Sequence, residues 1–319
     1  MDGWQESMDL SIIIVTRNTA AQMCEAIESV RASVDGLEKE IIVVDNGSTD
    51  DTGRQIAERF PAVRYLSAER NLGFARACNL GARGTRGEFL LLLNSDARLA
   101  PDALERAATW MRAHAECGII GAQLLHQDGS RQNSIANFPT LATELLNKSL
   151  LRRLLPKRFP GKEQFLTGPV AVESVVGAFL LSRRKLWDQL GGLDERYFFF
   201  LEETDFCLRA RRCGALTFHL PEVKVWHGQG QSAKKMPAAA RIEYWRSRYA
   251  YFRRHHSGFS CQFLRFGLLL RLLVDWIAAC LVVLCTFGQS SRWREKFMTQ
   301  NALIAWHGKG CPEGAGLPR

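Results

Sequence analysis

Over the first hundred residues, short apolar runs alternate with stretches in which apolar positions recur every three or four residues, and turn-forming residues separate the two kinds. LSIIIVTRN is rich in β-branched residues and ends in turn chemistry; AAQMCEAIESVRAS follows with Met23, Ile27 and Val30 at helical spacing. That pair predicts a β-α unit. KEIIVVDNGSTDDT predicts a second buried strand from Ile41 to Val44, ending on Asp45 before a Gly-Ser-Thr-Asp loop, with a helix spanning Arg54 to Phe60 behind it. VRYLSAERN supplies a short third strand, NLGFARACNLGARGT a glycine-rich turn and a helix of small residues, and GEFLLLLNSDARL a fourth strand from Phe89 to Leu93. Farther on, ESVVGAFLLSRRKLWDQLGGLDERYF reads as a strand, a Gly177-Ala178 turn, a second strand and a short helix, and FLEETDFCLRARRCG as a further helix. Short apolar strands separated by helices predict an α/β fold, with a mostly parallel, Rossmann-like sheet and helices on both faces.

In such sheets ligands gather in the crevice beyond the carboxyl ends of the strands. Asp45 and Asp96 both stand there, each closing an apolar run. A carboxylate at Asp96 can hold a divalent cation shared with substrate phosphates; it can equally start a turn or cap the helix expected after Pro101. An acid after an early strand, such as Asp45, can hydrogen-bond a base or ribose. No GxGxxG opens the first helix and no GxxxxGK[ST] occurs anywhere, which excludes a dinucleotide dehydrogenase and a P-loop nucleotidase. Phosphates must then be held by metal and side chains.

Composition narrows the class. The 319 residues are 46% hydrophobic and 24% charged, an ordinary globular balance that leaves no room for extensive disorder. Nine scattered cysteines, without a CxxC pair or zinc spacing, read as buried thiols in a reduced compartment. The first ten residues, MDGWQESMDL, lack the basic and apolar regions of a secretory signal, so a cytosolic location is expected. Charge is uneven: from Lys234 onward there are 14 Lys/Arg against 4 Asp/Glu, net +10, whereas residues 1–233 hold 28 against 29, net −1. The basic region is interleaved with apolar residues from Phe263 to Phe287, interrupted by Arg265, Arg271 and Asp275, a pattern that favours an anionic membrane surface over nucleic acid. Its uninterrupted part, Trp276 to Cys285, is shorter than the roughly 20 residues of a bilayer span. An interfacial helix, a helical hairpin and a helix packed on the domain all stay open. The segment from Leu145 to Lys162 repeats the pattern with Lys148, Arg152, Arg153, Lys157, Arg158 and Lys162 and no acid, as a second membrane-facing stretch or a solvated loop.

SIIIVTRN, VVDNGSTDDT, NLGFARACNLGA, LLLNSDA, FFFLEETDFCLRARRCG and WHGQGQS, in that order, resemble the family-two glycosyltransferases of GT-A fold, in particular their rhamnosyltransferase-like branch. The resemblance covers roughly residues 10 to 232, and places a GT-A domain over 9–232, with a nucleotide-sugar half to about 125 and an acceptor half from about 126. A helical, membrane-associating region would follow over 233–319. It implies inverting transfer of a sugar, with rhamnose as the inherited prior, from a nucleoside-diphosphate sugar to a hydroxyl of a polysaccharide or lipid-linked glycan, with Mg²⁺ or Mn²⁺ as cofactor. The work would be done at the cytosolic face of an inner membrane.

The same resemblance carries over the roles. Asn94-Ser95-Asp96 takes the place of the DxD-type motif, with Asp96 as metal ligand and the uncharged Asn94 as a contact to ribose or a metal-bound water. His227 is implied as a second ligand or diphosphate contact, since imidazole can ligate Mn²⁺ and a protonated ring can pair with phosphate. Thr16, Arg17, Asn18, Asp45, Asn71 and Gly73 would line the nucleoside pocket. Inversion needs a base to remove the acceptor proton, and Glu203 aligns with the usual one. Many relatives have Asp there, so the extra methylene shifts reach by about 1.5 Å. Asp205 is the reserve, and one of the acids Glu202, Glu203 and Asp205 is expected to cap the helix and pair with Arg209, Arg211 or Arg212. Two alternatives stand beside this reading: a polyprenyl-phosphate glycosyltransferase of the same fold, which needs no base, and a nucleotide-sugar-binding protein that has lost catalysis, as Asn94 suggests.

Overall fold

The computed structural model describes residues 8–155, 166–228 and 236–319. Lys157, Arg158, Lys162 and residues 229–232 of the WHGQGQS motif lie outside the described residues, as do the side chains of Lys148 and Arg152. In chain order the elements are β1 (Leu10–Thr16), α1 (Ala20–Arg31), β2 (Lys39–Asp45), α2 (Thr52–Arg59), β3 (Arg64–Ser67), α3 (Phe74–Ala82), β4 (Phe89–Asn94), β5 (Ala97–Leu99), α4 (Ala103–Ala113), β6 (Cys117–Leu125) and β7 (Ile135–Ala136). Then come α5 (Leu141–Leu145), α6 (Lys148–Leu154), β8 (Val170–Val172), β9 (Ser174–Val175), β10 (Phe179–Arg183), α7 (Arg184–Leu190), α8 (Glu202–Arg212) and β11 (Leu216–His227). The chain closes with α9 (Pro237–His255), α10 (Gly258–Cys285) and α11 (Ser291–Gly308). The described residues form two compact units, one of residues 8–138, 166–198 and 202–228, the other of 139–155, 199–201 and 236–319.

The first unit is built on a sheet ordered β3-β2-β1-β4-β10-β6-β11-β5, with β8 on the flank of β11. β1 to β4 run parallel, as do β6 and β11, while β10, β5 and β8 run against them. Side chains alternate across a strand, and here both faces are covered. Ile12, Ile14, Val43, Leu91 and Leu93 pack under α1, α2 and α4, and Ile13, Ile42, Val44, Leu90 and Leu92 under α3, α7 and α8. The expected mostly parallel α/β sheet with helices on both faces is therefore present.

In its second half β9, β10, α7 and α8 stand where the sequence reading placed two strands and two helices. β6, buried at every position, and β11 were not foreseen, because CGIIGAQLL lies directly after a helix without turn punctuation and LTFHLPEVKVWH carries a proline. The register of β11 against β6 shifts between Leu220 and Lys224, around that proline, as expected of a residue that cannot donate to a ladder.

In the second unit Lys148–Leu154 of the basic run form the short helix α6, and the run from residue 156 to Lys162 lies outside the described residues. On α9, Arg248 pairs with Glu144 at 3.2 Å, both side chains nearly excluded from solvent, and its guanidinium lies over the Trp245 ring. α10 is one continuous helix of 28 residues, long and apolar enough by length and composition to cross a membrane. Arg265, Arg271 and Asp275 do not interrupt it. Residues 286–290 return the chain into α11, where the Trp276 indole donates to Asn301 Oδ1 at 2.7 Å and stacks with Phe297, so α10 pairs with α11, and the stretch 263–287 does not itself fold into a hairpin.

Candidate active site

Ser67, Asp45 and Thr16 lie side by side at the carboxyl ends of β3, β2 and β1, and Asn94 neighbours Val15 one position back. β4 stops because Ser95 and Asp96 form a two-residue turn into β5. β5 pairs with the end of β11 so that Ala97 faces His227. Sheet pairing thus joins two positions separated by 130 residues of sequence: His227 Nε2 lies 3.4 Å from Asp96 Oδ1 and 3.3 Å from Asn94 Nδ2. Gly228 closes over the pair, with its N–H donating to Asp96 O at 3.0 Å; a Cβ there would press on the Asp96 carboxylate at 3.0 Å. The turn reading of Asp96 describes its backbone and the helix-cap reading does not apply, since Asp102 holds the N-cap position of α4.

A residue with no motif around it orients the histidine. Gln132 Nε2 donates to the carbonyls of His227 and Leu125 at 2.6 and 3.2 Å, so its Oε1 faces His227 Nδ1 at 3.2 Å. An amide oxygen only accepts, which puts the proton on Nδ1 and leaves Nε2 with a lone pair toward Asp96. A carboxylate oxygen and an imidazole nitrogen at this spacing match two adjacent ligands of one divalent cation, each about 2.1 Å from it. Among the described residues no group of three His, Cys, Asp or Glu could hold a metal. A cation here would complete its shell with diphosphate oxygens and water, as Mg²⁺ commonly does. Gln132→Leu is expected to weaken Mn²⁺ binding by about 10- to 100-fold, the usual cost of losing the partner of a ligating histidine, measured by Mn²⁺ titration followed by electron paramagnetic resonance.

The neighbouring strand ends form a polar crescent. Asp45 accepts from the Ser48 N–H at 2.8 Å and the Tyr65 hydroxyl at 2.6 Å; burial and this carboxylate push the Tyr65 pKa up to about 12. Asn18, at φ 53°, accepts from the Thr49 N–H at 2.7 Å, and its own N–H donates to Ser48 Oγ. Arg17 is exposed beside it. Asn46 binds Asn71 Oδ1, the Gly73 carbonyl and the Leu72 N–H, which fixes the turn into α3. Gly73 is at φ +84°, where a Cβ would lie 2.5 Å from the Phe198 carbonyl, so only glycine fits. The Thr19 hydroxyl joins both clusters, 2.8 Å from Thr16 Oγ1 and 3.0 Å from Ser95 Oγ.

Glu203 reaches the same rim through β10. The Asn94 N–H donates to Ala178 O at 3.1 Å, and Glu203 packs beside the adjacent Gly177, where a Cβ would meet the Glu203 Cβ and Cγ at an ordinary contact distance of 3.7 Å. Glu203 is half-buried at the start of α8. Loss of water around the carboxylate raises its pKa from 4.5 to about 7, against the opposing pull of backbone N–H groups of the helix start.

A sequence model of glycosyl transferase family 2 matches residues 11–190, more than half of the chain. The chain belongs to glycosyl transferase family 2. This family 2 enzyme is similar to an N-acetylglucosaminyl-diphospho-decaprenol L-rhamnosyltransferase of Mycobacterium tuberculosis, 30% identical over 237 residues, which cover 68% of this chain and 76% of the relative. It is also similar to the low-salt glycan biosynthesis hexosyltransferase Agl10 of Haloferax volcanii, 28% identical over 208 residues, 64% of this chain and 62% of the relative. Among solved structures it shares its fold with a mannosyltransferase from Pyrobaculum calidifontis in complex with GDP-Man and Mn²⁺. The TM-score is 0.56 at 18% identity, over 94% of this chain and 86% of the other. The resemblance seen in the motifs and the GT-A architecture are thereby shown, and the chain is a glycosyltransferase.

Not every named acid reaches the rim of the family 2 site. Asp205 is fully buried, with Oδ2 held by Arg209 Nε at 2.6 Å and Oδ1 3.4 Å from the Tyr197 hydroxyl. Arg209 also binds the Leu190 and Gly192 carbonyls, so the pair ties α8 to the end of α7. This is the arginine pairing expected of one of the three acids. Asp205→Asn should destabilise the fold by about 3–5 kcal/mol, because it strands a buried guanidinium, while turnover per folded molecule stays unchanged; denaturant melts and active-site-normalised rates check both. Sequence reading missed Gln132, Asn46, Thr19 and Tyr65. Asn46 adjoins Asp45 in a motif already noted, whereas Gln132 carried no signal.

Proposed function

We propose that this family 2 glycosyltransferase moves a sugar, with rhamnose the leading candidate, from a nucleoside-diphosphate donor to a hydroxyl of a polysaccharide or lipid-linked glycan, with inversion and with Mg²⁺ or Mn²⁺. The observation that carries the proposal is the end of β4, where Asp96 and His227 converge while Glu203 lies against Gly177, next to the residue that accepts from Asn94. Asp45, Asn18, Thr16, Arg17, Asn71 and Gly73 bind the nucleoside side of the donor. Asp96 and His227 would hold the cation, and Asn94 would contact the donor or a water on it. A bound Mg²⁺ or Mn²⁺ would offset the charge that develops on the leaving diphosphate. Glu203 takes the acceptor's proton as its oxygen attacks the anomeric carbon, and a carboxyl with pKa about 7 is matched to that task near neutral pH.

The relatives support the substrate class, since the mycobacterial protein is named for rhamnose transfer to a polyprenyl-diphosphate-linked sugar. The catalytic domain would span 9–232, with donor and acceptor halves meeting near 125, and residues 233–319 would associate with the cytosolic face of the inner membrane. A thermal-shift panel of nucleotide sugars, dTDP-rhamnose and UDP-hexoses among them, tests the reading. The true donor at 100 times its Kd should stabilise the fold by about 2.7 kcal/mol, and only with Mn²⁺ present. Stabilisation indifferent to Mn²⁺ would remove the role given to Asp96.

A further inference from the structure

α10 is two-sided in a way its composition does not show. Leu264, Leu268, Leu272 and Ala279 are buried within the second unit; a Cβ on Gly267 would strike Leu145 of α5. Phe259, Phe266, Leu270, Leu273, Ile277 and Leu284 are all exposed, by 46% to 79%, and recur at intervals of three, four or seven. At 100° per residue they share one stripe, about opposite the buried one. No charged residue falls within that stripe. Arg265, Arg271 and Asp275 lie toward the protein-facing half, where Asp275 is 3.9 Å from Arg271 and 3.6 Å from Lys296 of α11.

We propose that α10 is an in-plane membrane anchor: it lies along the bilayer surface with this stripe sunk into the boundary between headgroups and acyl chains, and it does not cross. The inference rests on the membrane association proposed above and specifies its mode. A spanning α10 would carry the hairpin partner with it, because Trp276 and Asp275 bind Asn301 and Lys296, and α11 also brings Arg292, Arg294 and Glu295. Charged groups facing hydrocarbon are strongly disfavoured. Lying flat, the helix immerses only the uncharged stripe, along a length of about 42 Å, and leaves every charge at headgroup level or above. The net charge of +10 from residue 234 onward suits an anionic lipid surface. It argues against a second copy of the chain as the occupant, since stripe-to-stripe pairing would bring two such charges together.

The test is flotation of the purified full chain with vesicles of phosphatidylcholine alone or mixed with phosphatidylglycerol, followed by extraction at alkaline pH in carbonate. Expected are binding that is stronger with phosphatidylglycerol, release by carbonate, and loss of binding by on the order of tenfold or more in F266E/L273E. Both positions are exposed, and a thermal melt and donor binding equal to the parent chain would show that this variant is folded. Retention after carbonate would overturn the in-plane mode while leaving membrane association intact. Flotation undiminished in F266E/L273E would mean that the stripe is not the contact. Failure of the parent chain to float with either vesicle would overturn the association itself, and a dimer in solution dispersed by F266E/L273E would identify a second copy as the true occupant.

Discussion

Glu203→Gln is expected to lower kcat by about 10²- to 10⁴-fold, the range contributed by a positioned general base, with donor affinity unchanged because the amide keeps the shape beside Gly177. In the parent enzyme kcat/KM should fall about tenfold per pH unit below the Glu203 pKa of about 7, where the protonated acid cannot accept. Stability should move oppositely. A carboxyl whose folded pKa exceeds its unfolded value binds its proton more tightly when folded, so stability is lost as pH rises from about 4.5 to about 7. Glu203→Gln escapes that loss, and above neutral pH it should be more stable than the parent chain by at most about 3 kcal/mol. A variant that is slower yet melts higher would mark Glu203 as a site that trades stability for function. Normal turnover in Glu203→Gln would instead favour a phosphate acceptor, which brings its own nucleophilic charge.

Asp96→Ala should reduce turnover by on the order of 10³-fold or more, the scale of several kcal/mol of charge stabilisation supplied through a cation. It should also abolish the Mn²⁺ dependence of donor binding. The fold should survive, because the Asp96 carboxylate faces the site and its backbone carbonyl, which binds the Gly228 N–H, is kept. Calorimetric titration of donor with and without Mn²⁺ separates the two effects. If the variant binds donor with undiminished Mn²⁺ dependence, the cation is held elsewhere. His227→Ala then becomes the informative comparison, since His227 and Asp96 face one another at 3.4 Å.

The first half of the sheet was legible because its polar rim residues sit where local pattern ends. The apolar runs before Thr16, Asp45 and Asn94 announce their strands, and the polar residue that closes each run is the one placed at the rim. In the second half β9, β10, α7 and α8 were legible, whereas β6 and β11 were not, for a physical reason. β6 is buried at every position, so it shows no alternation, and its partner β11 is distant in sequence. His227 was named through motif resemblance, but its neighbour Gln132 could not be found that way. The Gln132 side chain meets the ring only because β6, the turn after it and β11 converge. Asp205 shows the opposite limit: three acids in four residues look alike in sequence, and burial with Arg209 separates them.

The reversed direction of β10 has a consequence for how such a site can vary. Because β10 runs against β4, it is the start of β10 that lies at the rim, so the chain enters the proposed acceptor side from the segment preceding Phe179. The proposed donor side is reached by strands that arrive at the rim and leave it by tight turns, which couples its loops to the lengths of β1, β2 and β4. The segment ahead of β10 joins the sheets through the short strands β8 and β9, which pair with β11 and β7. On the proposed assignment, changes of length ahead of β8 would reshape what the enzyme accepts while Asp45, Asp96 and His227 stay in register, so acceptor choice would diverge on a fixed donor platform.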